Sequence, residues 1–185
     1  TSVGARAVVG ALFTWGDPDK GRLGHGDKET ALLPRQVRSV ARVSVAGVAC
    51  GTWHTVALGA NGRLYTCGRE AHGLLGSGSQ AKANGAVMGE VTTLSSAGVV
   101  IVQVSCGDYH TAALSSKGEV YTWGLGSHGR LGHGGERSEN TPRVVERLRG
   151  MHVRQVSCGS SYSAAICADD GSGALQRSAA SNWEL

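Results

Sequence analysis

Three features of the sequence predict an all-β fold, a β-propeller of about three four-stranded blades in an incomplete ring. First, two motifs alternate along the chain, each in three copies. One set is "TWGDPDKGRLGHG" (14–26), "TCGREAHGLLGSG" (66–78) and "TWGLGSHGRLGHG" (122–134). The other is "VACGTWHTVAL" (48–58), "VSCGDYHTAAL" (104–114) and "VSCGSSYSAAI" (156–166). Second, the motifs recur every 52 to 56 residues, a period that belongs to propeller blades of four short strands. Third, 29 of the 185 residues are Gly and only 3 are Pro, about twice the ordinary glycine share, as tight turns between short strands require.

The elements of one blade follow in order. "VVIVQVSCG" (99–107) has β-branched residues at short spacing and reads as a first strand. "HTAALSS" (110–116) is a second strand. Lys117-Gly118, and Asn61-Gly62 in the preceding copy, are hairpin turns. "EVYTWG" (119–124) and "RLYTCG" (63–68) are third strands. "PRVVERL" (142–148) and "PRQVRSV" (34–40) supply a fourth extended segment after a proline boundary. No helical period of useful length occurs. Gly51 to Gly68 and Gly107 to Gly124 both span 17 residues. The connection from Gly68 to Gly107 is longer by four than its counterparts, which places the extra residues near "SQAKANGAVMGE" (79–90), in a surface loop.

Gly124, Gly126 and Gly129 have the spacing of a dinucleotide-binding turn after an apolar strand. The repeat argues against that reading. The positions matching Gly126 are Pro18 and Glu70, no helix pattern follows, and such a turn would not occur three times. The glycines that all copies share are turn residues.

The net charge of +4 makes the chain mildly basic, which permits acidic-protein or nucleic-acid partners without demanding them. There is no apolar run long enough for a membrane helix. The five cysteines, Cys50, Cys67, Cys106, Cys158 and Cys167, are odd in number and lack a C-x-x-C pair, so free thiols in an intracellular compartment, cytoplasmic or nuclear, are expected. Cys50, Cys106 and Cys158 share one repeat position and are expected to fit a crowded inner site.

The pattern "VSCGDYHTAALSSKGEVYTWGLGSHGRLGHG" (104–134), followed by "TPRVVERL" (141–148), resembles the repeat of the regulator of chromosome condensation family. The resemblance covers Leu12 to about Ile166 in three copies and implies a propeller of seven blades. Three copies are too few for that ring. Aligning Gly10 with Gly118 places the start of the chain within a blade. A partial propeller is expected over 1–168. Residues 169–185, where "SGALQRS" stands in place of a third strand, are expected to be a degenerate repeat or polar tail. An open arc leaves apolar blade faces uncovered. The chain is therefore expected either to be a piece of a longer protein, in keeping with its opening on Thr1, or to self-associate.

No catalytic, cofactor or metal site is predicted. His54 and His110 share one repeat position with Tyr162, His25 and His133 share another, and His72 and His128 a third. Histidines copied blade by blade read as hydrogen-bonded turn residues, and no local zinc spacing exists. There is no G-x-S-x-G, and the pairs Asp17/Asp19 and Asp169/Asp170 read as solvated turn carboxylates.

Function is sought where the copies differ, because scaffold positions must match. After each C-G the copies read Thr52-Trp53, Asp108-Tyr109 and Ser160-Ser161. In a propeller these loops share one face. Trp53, Asp108, Tyr109, Ser160 and Ser161 are therefore candidate partner-binding residues, with the aromatics as anchors. The resemblance implies acidic and histidine residues here in the family's exchange factor for the Ran GTPase; only Asp108 matches that chemistry. A second candidate is basic. No acid occurs from Thr30 to Arg69, and Arg35, Arg38 and Arg42, with Arg143 and Arg147 in the related connector, form a strip suited to DNA phosphate or an acidic protein. The sequence thus reads as a protein–protein interaction module or scaffold within a larger protein, and not as an enzyme. Guanine-nucleotide exchange on a Ran-like small GTPase is the alternative, and a chromatin-binding platform a further one.

Overall fold

Three-residue turns fold neighbouring strands onto each other in the computed structural model, which describes residues 10–78 and 85–168. β4 (His54–Gly59) turns into β5 (Leu64–Gly68) with Gly62 at φ +77° and its N–H donated to the Gly59 carbonyl at 2.9 Å. Asn61 Oδ1 accepts the Arg63 N–H at 3.1 Å. β8 (His110–Ser115) and β9 (Val120–Gly124) are joined the same way through Gly118, at φ +79°. The glycine of each predicted dipeptide thus sits in the left-handed region that closes a longer turn than two residues.

Two complete blades result. β3 (Val45–Cys50), β4, β5 and β6 (Gly89–Glu90) form one antiparallel sheet in chain order. β7 (Ile101–Cys106), β8, β9 and β10 (Glu139–Val144) form the next. They are flanked by two two-stranded sheets. β1 (Phe13–Gly16) and β2 (Ala31–Gln36) correspond by repeat position to third and fourth strands. β11 (Val153–Cys158) and β12 (Ser163–Cys167) correspond to first and second strands. We number these four sheets blades 1 to 4 in chain order, blade 1 being β1–β2 and blade 4 being β11–β12. The sheets do not close into a ring. The expected tail at 169–185, with Asp169 and Asp170, lies outside the described residues, as do residues 79–84 of the predicted insertion.

The fourth strands differ from expectation. Pro34 and Pro142 lie inside β2 and β10 rather than ahead of them. Both are outer strands with one hydrogen-bonded side, and the pairing register is irregular beside each proline, where the missing N–H costs no ladder bond. In blade 2 the outer strand shrinks to β6 and a helical turn, α1 (Thr92–Ser96), follows. Val91 there donates its N–H to Leu64, as Val37 does to Leu12 and Val145 to Val120, so the repeat's inward anchor survives the change.

The core lies between blades. Successive residues of a strand face opposite sides. Val56 and Leu58 of β4 pack towards blade 3 with Ile101, Ala113 and Trp123, while Ala57 packs towards blade 1 with Leu12, Val37 and Cys67. Ala112 and Leu114 meet Val153 and Val156 of blade 4. Polar ties repeat in the same layers. His54 Nε2 meets Thr111 Oγ1 at 2.8 Å, and His110 Nε2 meets Ser163 Oγ at 2.9 Å, each from one blade's second strand to the next. The Thr14, Thr66 and Thr122 hydroxyls donate to the carbonyls of Leu23, Leu75 and Leu131, closing the glycine-rich turn in each copy.

The same residue type is buried or exposed according to whether a blade precedes it among the described residues. Trp123 is fully buried and donates Nε1–H to the Leu74 carbonyl of blade 2 at 3.1 Å. Trp15, at the same repeat position in blade 1, is 60% exposed. The C-G cysteines follow suit. Cys106 and Cys158 are half-buried, with Sγ atoms 3.7 and 3.5 Å from the Ala49 and Ser105 carbonyls of the preceding first strands. Cys50 has no preceding first strand among the described residues and is exposed, so this position is not the closed inner site expected. Gly126 leads into a three-residue turn, Ser127–Gly129, and not into a helix; a Cβ there would collide with the Arg137 carbonyl.

Candidate functional site

The loops between first and second strands gather on one face, and hydrogen bonds join three of them. Asp108 is the link. Its Oδ1 accepts the Thr52 hydroxyl of blade 2 at 2.7 Å, and its Oδ2 accepts the Ser160 hydroxyl of blade 4 at 2.5 Å. Its N–H donates to the Ser160 carbonyl at 3.2 Å. The Ser160 and Thr52 hydroxyls hold the Asp108 carboxyl below its ordinary value. Ser161 Oγ lies 3.5 Å from Ser160 Oγ.

Trp53 and Tyr109, both half-buried, meet beside this link with ring centroids 6.0 Å apart and planes tilted by 36°. All five residues singled out from the repeat differences therefore fall on one contiguous surface. Three further residues join them. The Arg69 guanidinium lies 5.4 Å from the Trp53 ring and 5.9 Å from the Tyr109 ring. The Arg22 guanidinium lies 5.4 Å from Trp53, donates to the Thr52 carbonyl at 2.9 Å, and is paired with Asp17 at 3.1 Å. His72 meets Tyr109 edge-on at 6.3 Å. Cations over aromatic faces are held by the ring quadrupole as well as by hydrogen bonds.

Gly68 makes this packing accessible. It ends β5 at φ +126°, and a Cβ there would strike the Trp53 carbonyl. The next residue, Arg69, donates its N–H to that same carbonyl at 2.9 Å. Gly68→Ala is expected to cost about 2 kcal/mol or more, read as a lowered thermal midpoint, because strain and contact act together.

Sequence reasoning missed Arg69, Arg22 and His72. The signal for Arg69 was present: it stands where the other copies have Asp17 and Leu125, a departure of the same kind that marks Trp53. His72 and Arg22 have counterparts in His128 and Arg130, so only the aromatic neighbours distinguish them.

The basic candidates are dispersed. Arg35 on β2 is paired with Asp27 at 2.6 Å, and Arg143 on β10 with Glu139 at 2.7 Å. Arg38 opens the short turn Arg38–Val40 and Arg42 follows it, while Arg147 sits in the corresponding turn Glu146–Leu148. These outer edges belong to blades 1 and 3. Blade 2 separates them and presents Glu90, paired with Arg63 at 3.2 Å.

His54 and His110 open the second strands behind this face. Burial pushes His54 down to about 3; burial, with the Arg130 charge second, pushes His110 down to about 4. Both rings are therefore neutral struts. Among the described residues no cluster of three or more His, Cys, Asp or Glu side chains could hold a metal ion. No described helix is long and apolar enough to cross a membrane.

Comparison with known proteins agrees with this geometry. The model of the regulator of chromosome condensation (RCC1) repeat matches residues 9–58, 61–114 and 117–166. Human E3 ubiquitin-protein ligase HERC2 is 37% identical over 164 residues, which is 88% of this chain and 3% of that protein. The crystal structure of human WBSCR16 superposes with a TM-score of 0.74 at 26% identity, over 86% of this chain and 40% of the other. Prp20p of Saccharomyces cerevisiae, a protein described by its binding to Gsp1p and histones, gives a TM-score of 0.76 at 21% identity, over 91% of this chain and 42% of its own. The chain thus spans a small part of its ubiquitin-ligase relative and well under half of each solved structure.

Proposed function

Since the chain belongs to the regulator of chromosome condensation repeat family, we propose that it is a protein–protein interaction module of a larger intracellular protein, and that it binds its partner through the face built by Trp53 and Tyr109. The observation that carries this reading is the Trp53–Tyr109 pair with Arg69 across both rings, set beside three loops pinned by Asp108. Aromatic and arginine side chains are the residues that most often dominate binding energy, and a loop held in place loses little entropy on docking. In HERC2, named as an E3 ubiquitin-protein ligase, the stretch similar to this chain is 3% of the protein, which fits a recognition role within a larger chain.

Photo-crosslinking tests the face. A benzophenone side chain at Thr52 or Ser161 is expected to capture partner protein, whereas one at Lys117, in the hairpin turn between β8 and β9, is not. Equal capture at all three positions would remove the proposed face. Nucleotide exchange and chromatin binding are the alternatives. Exchange would work by wedging against a GTPase, and Asp108, the one residue that matches its chemistry, is tied to the Thr52 and Ser160 hydroxyls of the neighbouring loops. Acceleration of labelled GDP release from a small GTPase, lost in Asp108→Ala, would replace the interaction reading with exchange.

A further inference from the structure

We propose that the Arg69 guanidinium, held against Trp53 and Tyr109, is the recognition point for a carboxylate of an acidic peptide segment in the partner. This rests on the reading of that face as protein-binding and names the partner's chemistry.

The charges around the face are unequally committed. Arg22 is paired with Asp17 and Asp19, Arg35 with Asp27, Arg63 with Glu90, Arg143 with Glu139 and Arg149 with Glu146. Among the described residues no carboxylate oxygen lies within 4.0 Å of Arg69. Other arginines without acids, such as Arg38, Arg42 and Arg147, are exposed and make no contact with an aromatic ring. Arg69 differs because its backbone is tied to the Trp53 carbonyl and its head is steered by two rings. A guanidinium resting on aromatic faces keeps its edge N–H groups for a second partner, and that fork matches a carboxylate. The rings beside it offer apolar contact to the residues flanking that carboxylate.

A peptide fits this setting better than nucleic acid. The hollow next to Arg69 is lined by Asp17, Asp19, Asp27 and Glu70 together with Lys20 and Lys28. A continuous phosphate backbone would run across those carboxylates, whereas one or two discrete acids can settle on Arg69 alone.

Fluorescence anisotropy with a labelled peptide in which Asp alternates with Leu tests the proposal. The peptide is expected to bind, to bind less well as salt rises, and to bind about tenfold more weakly to Arg69→Gln, while Arg147→Gln leaves binding unchanged. A matched peptide with Asn for every Asp is expected to fail. Equal binding of the Asn peptide, or no effect of Arg69→Gln in a protein with unaltered thermal midpoint, would overturn the proposal. So would an oligothymidylate that binds through Arg69 when the acidic peptide does not. Crosslinks from Thr52 and Ser161 without acidic-peptide binding would leave the face standing and reject its acidic partner; loss of both would reject the face.

Discussion

Trp123→Ala is expected to destabilise the chain by about 3–5 kcal/mol, while Trp15→Ala changes stability by no more than about 0.5 kcal/mol. The two residues occupy one repeat position and carry the same side chain. Trp123 fills the layer between blades 2 and 3 with no exposed surface, and its removal strips contacts from Val56, Leu64, Ile101 and Ala113. It also leaves the Leu74 carbonyl without its indole donor in a place water does not reach. Trp15 has most of its surface in solvent and belongs to no core cluster among the described residues. Urea denaturation of the two variants measures the contrast. Equal losses would mean that the core is not divided into layers between blades.

Stability is expected to fall as pH drops from about 6.5 to about 4. His54 and His110 are fully buried, and each Nδ1 has no hydrogen-bond partner. The Ser163 hydroxyl donates its proton to the Arg130 carbonyl at 2.8 Å, so His110 Nε2 must carry the ring proton and Nδ1 the lone pair. Protonating Nδ1 would place a charge in a buried site, which desolvation opposes. Unfolded, both histidines take up a proton near 6.5; folded, they resist until about 4 for His110 and about 3 for His54. Between those values the unfolded chain binds more protons, so acid favours unfolding by about 1.4 kcal/mol per pH unit for each histidine. Above 6.5 both states are neutral and the contribution vanishes. His133, lowered chiefly by burial, adds to the fall in the same window and with the same sign, while Asp27 and Asp108, whose pKa values are lowered, contribute mainly towards its acid end. Denaturation midpoints across the range check the slope, which His54→Gln with His110→Gln is expected to flatten. A profile unchanged in that double variant would show that other groups govern the acid response.

Most of the fold was legible because its signals are local. "HTVALG" and "HTAALS" each combine a turn-fixed start with a short apolar run buried on both faces, and three copies fix the order of strands around them. The layer structure was not legible. Trp15 and Trp123 read alike, and Cys50 reads like Cys158, because a residue's burial in a propeller depends on a neighbouring blade that lies outside its own motif. Pro34 and Pro142 mark boundaries in most strands; only the one-sided pairing of an outer strand lets them stay inside. Of the candidate face, Trp53, Asp108, Tyr109, Ser160 and Ser161 could be found by comparing copies. Arg69 lies in a different motif from the rings it contacts, and the close approach at Gly68 that joins them leaves no mark in the sequence beyond a glycine shared by all copies.

The central claim, that Trp53 and Tyr109 form the partner-binding face, is tested most directly by quantitative affinity capture. Wild-type protein and the Trp53→Ala, Tyr109→Ala double variant are compared after both are shown to melt alike. The predicted result is loss of specific partners by the double variant, on the order of a hundredfold, with Lys117→Ala retaining them. An unchanged set of partners, captured by a variant that remains folded, would contradict it.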